Sequence, residues 1–102
     1  MSYETWREKV LSRPGAAERI AELEQQMLLA HGLRSARKKA RISQKELARR
    51  MGVSQPRIVA IERAEDINIS TLTRYAAAIG ARPKIELVLG EEEIPVLTGT
   101  NP

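Results

Sequence analysis

Residues Ser43 to Ala64 read SQKELARRMGVSQPRIVAIERA, and the reading of this stretch decides the fold. Ser43 and Glu46 stand in capping-box form, in which the serine hydroxyl takes the N3 amide and the glutamate reaches back to the serine N–H. Behind this cap Leu47, Ala48 and Met51 fall on one helical face. Gly52 can take φ > 0 and ends the helix. Ser54 then caps a second helix, with Pro56 in its first turn, where a missing N–H is harmless. Ile58 and Ile61 turn inward, and Val53 plugs the turn between the helices. Two short helices joined by a tight turn are expected, and the second offers a surface as well as a core face.

Outward from this stretch, the composition bounds what can be built around it. The chain has 102 residues, enough for one domain with a small core. Its aromatic residues are Tyr3, Trp6 and Tyr75, with no Phe, so the core must be aliphatic. Abundant Ala and apolar residues at helical spacing predict a mainly α protein. There is no cysteine, which excludes disulfides, thiolate metal sites and a cysteine nucleophile, and fits a reducing compartment. No run of about 18 apolar residues occurs and the N-terminus has no signal-peptide apolar region. A soluble cytoplasmic protein with no membrane partner is expected.

The flanks divide as follows. Residues 1–15 carry mixed charge, end in the break Arg13-Pro14-Gly15 and are expected as a flexible segment in which Trp6 is the large aromatic. Residues 16–81 form the helical domain with an N-terminal helix extension. Its long first helix, roughly 16 to 40, places Ile20, Leu23, Met27 and Ala30 on one face, continued by Leu33, Ala36 and Ala40, with Gly32 as the site for a kink. Asn68 caps a later helix with the stripe Ile69, Leu72, Ala76 and Ile79, and Gly80 ends it. Residues 82–98 are expected as a C-terminal strand or hairpin for dimerisation, in which Lys84 to Leu89 switches to period two: Ile85, Leu87 and Leu89 alternate with Glu86 and Val88. A lone strand cannot satisfy its backbone, so it pairs either with Glu93 to Thr98 as a hairpin or with the same strand of a second chain, giving a dimer. Residues 99–102 are expected to fray.

The formal charge of +4 is unevenly spread. Arg34, Arg37, Lys38, Lys39, Arg41, Lys45, Arg49 and Arg50 crowd one segment against a single acid, Glu46. Acid collects at Glu18, Glu22 and Glu24 and again at Glu91 to Glu93. A basic block beside a compact helical pair points to a polyanion, although taken alone it is equally a solvated basic helix face. A helix in the DNA major groove must turn its apolar side to the core and its other side to base edges. With Ile58 and Ile61 inward, the opposite face carries Pro56, Val59, Ala60 and Arg63, flanked by Gln55 and Arg57. Gln55 can pair with adenine, Arg57 and Arg63 can reach guanine or phosphate, and Val59 and Ala60 suit a thymine methyl. Gln44, Lys38, Lys39, Arg41, Lys45 and Ser54 are the candidates for phosphate.

These residues carry a resemblance. Gln44, Leu47-Ala48, Gly52-Val53-Ser54, Ile58, Ile61 and Glu62 sit as in the helix-turn-helix of the Xre, or Cro-repressor-like, family, and the similarity continues through TLTRYAAAIGA, from about Leu33 to Ala81. The resemblance implies a five-helix, lambda-repressor-like domain, here with an extra N-terminal helix and a C-terminal strand or hairpin. It also implies a homodimer on double-stranded DNA at a pseudo-palindromic operator, with contacts at Gln44, Gln55, Pro56, Arg57 and Ala60. Pro56 and Ala60 lack the polar groups many members use there, which shifts the weight to Gln55, Arg57 and Arg63. The layout of helix, domain and terminal strand looks like the HigA-like antitoxins, and that similarity implies a RelE/HigB-type toxin, an mRNA endonuclease, as partner. Trp6, Ile20, Leu23 and Glu22, or the acidic run Glu91 to Glu93, are its candidate docking residues.

Three function classes compete: an antitoxin that represses its own promoter, a stand-alone repressor without a toxin, and an enzyme. One histidine (His31), no cysteine, no carboxylates at metal spacing and no glycine-rich phosphate loop leave the third without support, so no catalytic residue, metal or cofactor is expected.

Overall fold

The computed structural model describes residues 2–99, in which five helices precede a β-hairpin: α1 (Tyr3–Leu11), α2 (Ala16–Lys39), α3 (Gln44–Met51), α4 (Gln55–Glu62), α5 (Ile69–Ala78), β1 (Lys84–Leu89) and β2 (Glu92–Thr98). The expected mainly α, helix-turn-helix architecture with a terminal hairpin is present.

Local chemistry starts and stops the central helices. Ser43 Oγ accepts the Glu46 N–H at 3.0 Å. The other half of the capping box does not form, because the Glu46 carboxylate turns instead to Arg49 and Arg50 one turn ahead. These guanidinium contacts, that of Arg49 first, hold the Glu46 carboxyl down at about 2, so it remains an anion at the positive end of α3. Gly52 (φ 67°) ends α3 and Ser54 Oγ caps α4 through the Arg57 N–H at 3.2 Å. Leu47 and Ile58 are fully buried, and with Ala30, Leu33, Ile42, Ala48, Ile61, Ala64 and Tyr75 they form the core. Each large aliphatic side chain buried in this way contributes roughly 1.5–3 kcal/mol.

The long helix α2 runs unbroken through Gly32. Its C-terminal half faces the core through Ala30, Leu33 and Arg37, while its N-terminal half carries α1. No helix is expected from sequence within residues 1–15, yet α1 is there. Ser2 caps it by accepting the Thr5 N–H, and Arg7 pairs with Glu24 of α2 at 3.1 Å. Trp6 stacks beside Tyr3 with ring centroids 5.7 Å apart. The stripe expected on α2 is corrected at Met27, which is 57% exposed, with Leu28 beside it still more open.

Asn68 caps α5 through the Thr71 N–H at 2.8 Å. Here too the inward face is rotated from expectation: Thr71, Tyr75 and Ala76 are buried and Ile69 is exposed. The helix closes with Gly80 at φ 78° and the Ala81 N–H on the Ala76 carbonyl at 2.8 Å. Of the two pairings open to the terminal strand, the chain makes its own hairpin. β1 and β2 are antiparallel, with Ile85 opposite Leu97, Leu87 opposite Ile94 and Leu89 opposite Glu92, and with a bulge that leaves Val96 without a partner. Among the described residues the hairpin packs on no helix. The tail expected to fray over 99–102 lies outside the described residues apart from Gly99, whose N–H donates to the Pro83 carbonyl at 2.9 Å and where a Cβ would strike the proline ring.

Candidate nucleic-acid interface

One side of α4 is committed to the core by Ile58, Ile61 and Glu62; the other is open. Gln55, Pro56, Ala60 and Arg63 are exposed, Val59 is half-buried, and these five together line a shallow open concavity. This is the face expected to read bases. Arg57 is exposed but sits apart from it, at a small depression shared with Ala60, Asp66 and Ile67. The concavity is apolar in the middle and polar at its ends, Gln55 at one and Arg63 at the other. Such a surface suits methyl groups flanked by hydrogen-bonding edges.

Two side chains of α2 fasten the far end of α4. Arg34 Nη1 donates to the Glu62 carbonyl and Gln26 Nε2 to the Arg63 carbonyl, each at 3.2 Å. They satisfy carbonyls that a helix end leaves open and fix the direction in which Arg63 leaves the helix.

Beneath the face lies an ionic cluster that sequence reasoning missed. Glu62, 2% exposed, receives Arg37 Nε on Oε2 at 2.6 Å and Arg37 Nη2 on Oε1 at 3.3 Å. Gln44 Nε2 donates to Oε1 at 2.9 Å. The Tyr75 hydroxyl sits 2.6 Å from Oε2 and 2.9 Å from the Leu33 carbonyl, one proton between two acceptors. Arg37 Nη1 completes the set on the Ile42 carbonyl at 3.0 Å. Burial by itself would raise the Glu62 carboxyl, but the donors from Arg37, Tyr75 and Gln44 outweigh it and hold it below the usual carboxylate range. Burial, and then the bond to Glu62, push the Tyr75 phenol above its ordinary value. Glu62 keeps Arg37 protonated. No buried side-chain polar atom among the described residues lacks a partner. A carboxylate at position 62, next to Ile61 and four residues after Ile58, lies on the inner face of the helical wheel, and that was the available signal.

The basic block therefore splits in two. Arg34 and Arg37 are spent on α4, and Arg49 and Arg50 on Glu46, Arg50 also reaching the Ala78 carbonyl at 3.0 Å. Lys38, Lys39, Arg41 and Lys45 are exposed and form no ion pair among the described residues. These four stand at the end of α2 and the start of α3. Gln44 is half-buried and spends one amide N–H on Glu62, leaving its second N–H for an outside acceptor. Ser54 has its Oγ engaged as the α4 cap.

The surface expected to meet a partner protein is corrected at Ile20, which is 1% exposed and offers no free face; Leu23 is half-buried, and Tyr3, Trp6, Leu11, Met27 and Leu28 are exposed apolar residues of α1 and α2. Among the described residues no three His, Cys, Asp or Glu side chains are grouped to hold a metal ion, and no helix is long and apolar enough to cross a membrane.

Comparison with known proteins agrees with this geometry. Residues 33–87 match the helix-turn-helix family. Over 91 residues the chain is 37% identical to the protein named Antitoxin HigA1, in each of two strains of Mycobacterium tuberculosis. The match takes in 88% of this chain but 58% of each relative, so the chain spans well under two thirds of their length.

Proposed function

We propose, from the premise that this chain belongs to the helix-turn-helix family, that it is a DNA-binding regulator whose α4 lies in the major groove of a pseudo-palindromic operator. Gln55, Arg57, Val59, Ala60 and Arg63 read the bases; Gln44, Lys38, Lys39, Arg41, Lys45 and Ser54 hold the phosphates. The observation that carries this is the open face of α4, together with four exposed cations at the end of α2 and the start of α3 that form no ion pair among the described residues. A site of this build needs no catalytic group, and the reading is of a cytoplasmic regulator. Two copies on one operator require a homodimer, and Ile85, Leu87 and Leu89 are the residues assigned to it.

The antitoxin role is supported by the relatives named Antitoxin HigA1 and by α1, which packs on α2 outside the helix-turn-helix core. In this role the protein neutralises a RelE/HigB-type mRNA-endonuclease toxin and represses the promoter of the pair. A stand-alone repressor is the second reading. The test has two arms. Fluorescence anisotropy on the protein's own promoter and on random DNA, across a salt series, reads DNA specificity; equal affinities would remove the base-reading assignment. Co-expression with the product of the neighbouring reading frame, with and without residues 1–12, reads the toxin. Capture by the full chain and loss on truncation support the antitoxin, and capture by neither leaves the stand-alone repressor.

A further inference from the structure

The hairpin leaves much of its apolar surface in water: Leu87 is 59% exposed, Leu89 69%, Val88 69% and Val96 53%. A two-stranded hairpin with no helix over it is marginal, and it has two open edges onto which another strand can add. The edges of this one differ. The β2 edge is interrupted by Pro95, which has no N–H, and by the bulge at Val96. Both are devices that keep an edge from pairing. The β1 edge, Lys84 to Leu89, has neither.

We infer that the β1 edge pairs antiparallel with β1 of a second copy of this chain, centred on Leu87, to give a continuous four-stranded sheet of order β2-β1-β1-β2. The inference rests on the dimeric reading above and names the contact that makes the dimer. Parity limits the registers. The Gly99 N–H reaches the Pro83 carbonyl, so Pro83 faces β2. By the alternation of an antiparallel ladder, the main-chain groups of Lys84, Glu86 and Val88 then face outward. Self-pairing about a dyad must therefore centre on a residue, and centring on Glu86 or Leu87 overlaps more of β1 than centring on Ile85 or Val88. Centring on Glu86 sets two carboxylates directly opposite, which is repulsive. Centring on Val88 sets Ile85 against Glu91. Centring on Leu87 pairs Leu87 with itself and Ile85 with Leu89 twice, and puts Glu86 opposite Val88. Only this register keeps each of the three apolar residues of one face against another apolar residue. The new edges of the sheet are the two β2 strands, each already blocked, so addition stops at two copies.

The sequence has no cysteine, so a single introduced thiol reports the register without interference. Leu87→Cys places two thiols at a directly opposed pair, within disulfide reach, whereas Val88→Cys places them a diagonal step further apart, beyond it. In the full chain at tens of micromolar under mild oxidation, the first is expected to cross-link in most molecules and the second at least about tenfold more slowly. Glu86→Pro removes an outward N–H and leaves the β1–β2 ladder intact, so it is expected to sediment as a monomer with its circular dichroism and melting transition retained. A dimer that survives Glu86→Pro and does not cross-link through Leu87→Cys would overturn this contact while leaving a dimeric repressor standing. Preferred cross-linking of Val88→Cys would overturn the register. Promoter binding by wild type, measured alongside, separates these failures from failure of the DNA-binding reading itself.

Discussion

Replacing Glu62 by Gln keeps the shape of the side chain and removes the charge at the centre of the buried cluster. Glu62 is 2% exposed, and Arg37, whose side chain is 9% exposed, has no other carboxylate within reach among the described residues. The change leaves a buried guanidinium without its counter-ion and points an amide NH2 at donors from Arg37, Gln44 or Tyr75. Breaking a buried pair from one side costs about 3–5 kcal/mol. A domain of this length has a total stability on the order of 5–15 kcal/mol. The variant should thus lose a large part of its margin, with the melting temperature falling by roughly 15–30 °C. Urea denaturation followed by circular dichroism measures the loss. The double variant Arg37→Met, Glu62→Met removes both charges and should recover at least ~2 kcal/mol relative to the sum of the losses of Arg37→Met and Glu62→Met taken singly. A loss below about 1 kcal/mol for Glu62→Gln, or strict additivity in the cycle, would refute the argument that this pair is held as a charge-compensated unit.

The same cluster sets a pH window, expected to be visible as a stability plateau with two edges. Glu62 has a depressed folded value, so its contribution is present above the ordinary glutamate value of about 4.3 and is lost as pH falls through the lower folded one. Tyr75 has a raised folded value, so its contribution is present below about 10 and is lost as pH rises further; Tyr75→Phe should soften that alkaline edge in denaturation series. On the operator, Gln55→Ala or Arg57→Ala should weaken binding by about 1–3 kcal/mol and leave random DNA nearly unchanged, and equal losses on both would assign these residues to phosphate. Lys38→Ala or Lys39→Ala should weaken all sequences alike and lower the salt slope by about one; an unchanged slope would take the end of α2 off the DNA. Arg41 holds φ 61°, a left-handed conformation that costs a side-chain-bearing residue about 1–2 kcal/mol. Arg41→Gly should therefore raise thermal stability modestly while reducing DNA affinity, and a fall in both would mean that the side chain also supports the fold.

What could be read in the sequence was whatever a few neighbouring residues decide together. Ser43, Gly52, Ser54, Pro56, Asn68 and Gly80 act on their own backbone within a turn, and each starts or stops a helix as read. The inward faces of Leu47, Ala48, Ile58 and Ile61 are equally local, since periodicity alone places them. The helical wheel turns Glu62 inward, but the partners that hold it there were illegible because they lie 25, 18 and 13 positions away. The same distance hid Arg37 within an apparently uniform basic run. Ile69 and Met27 misled for a related reason: a stripe fixes a helix face but not where the neighbouring helix ends, and both side chains are left more than half exposed. The α1 helix buries no residue of its own, so its apolar pattern was too thin to read against the mixed charge around it.

The convergence on Glu62 has a consequence for how the domain opens. One carboxylate is held by α2 through Arg37, by α3 through Gln44 and by α5 through Tyr75, while it belongs to α4. No one of these helices can detach without uncovering part of a buried charge, so partial opening is nearly as costly as complete unfolding. Amide protons across α2 from Ala30 onward and through α5 should exchange as one cooperative unit, whereas α1 and the hairpin are free to open on their own. The reading head is thereby kept rigid, and the two segments proposed to meet other proteins are the ones left able to loosen.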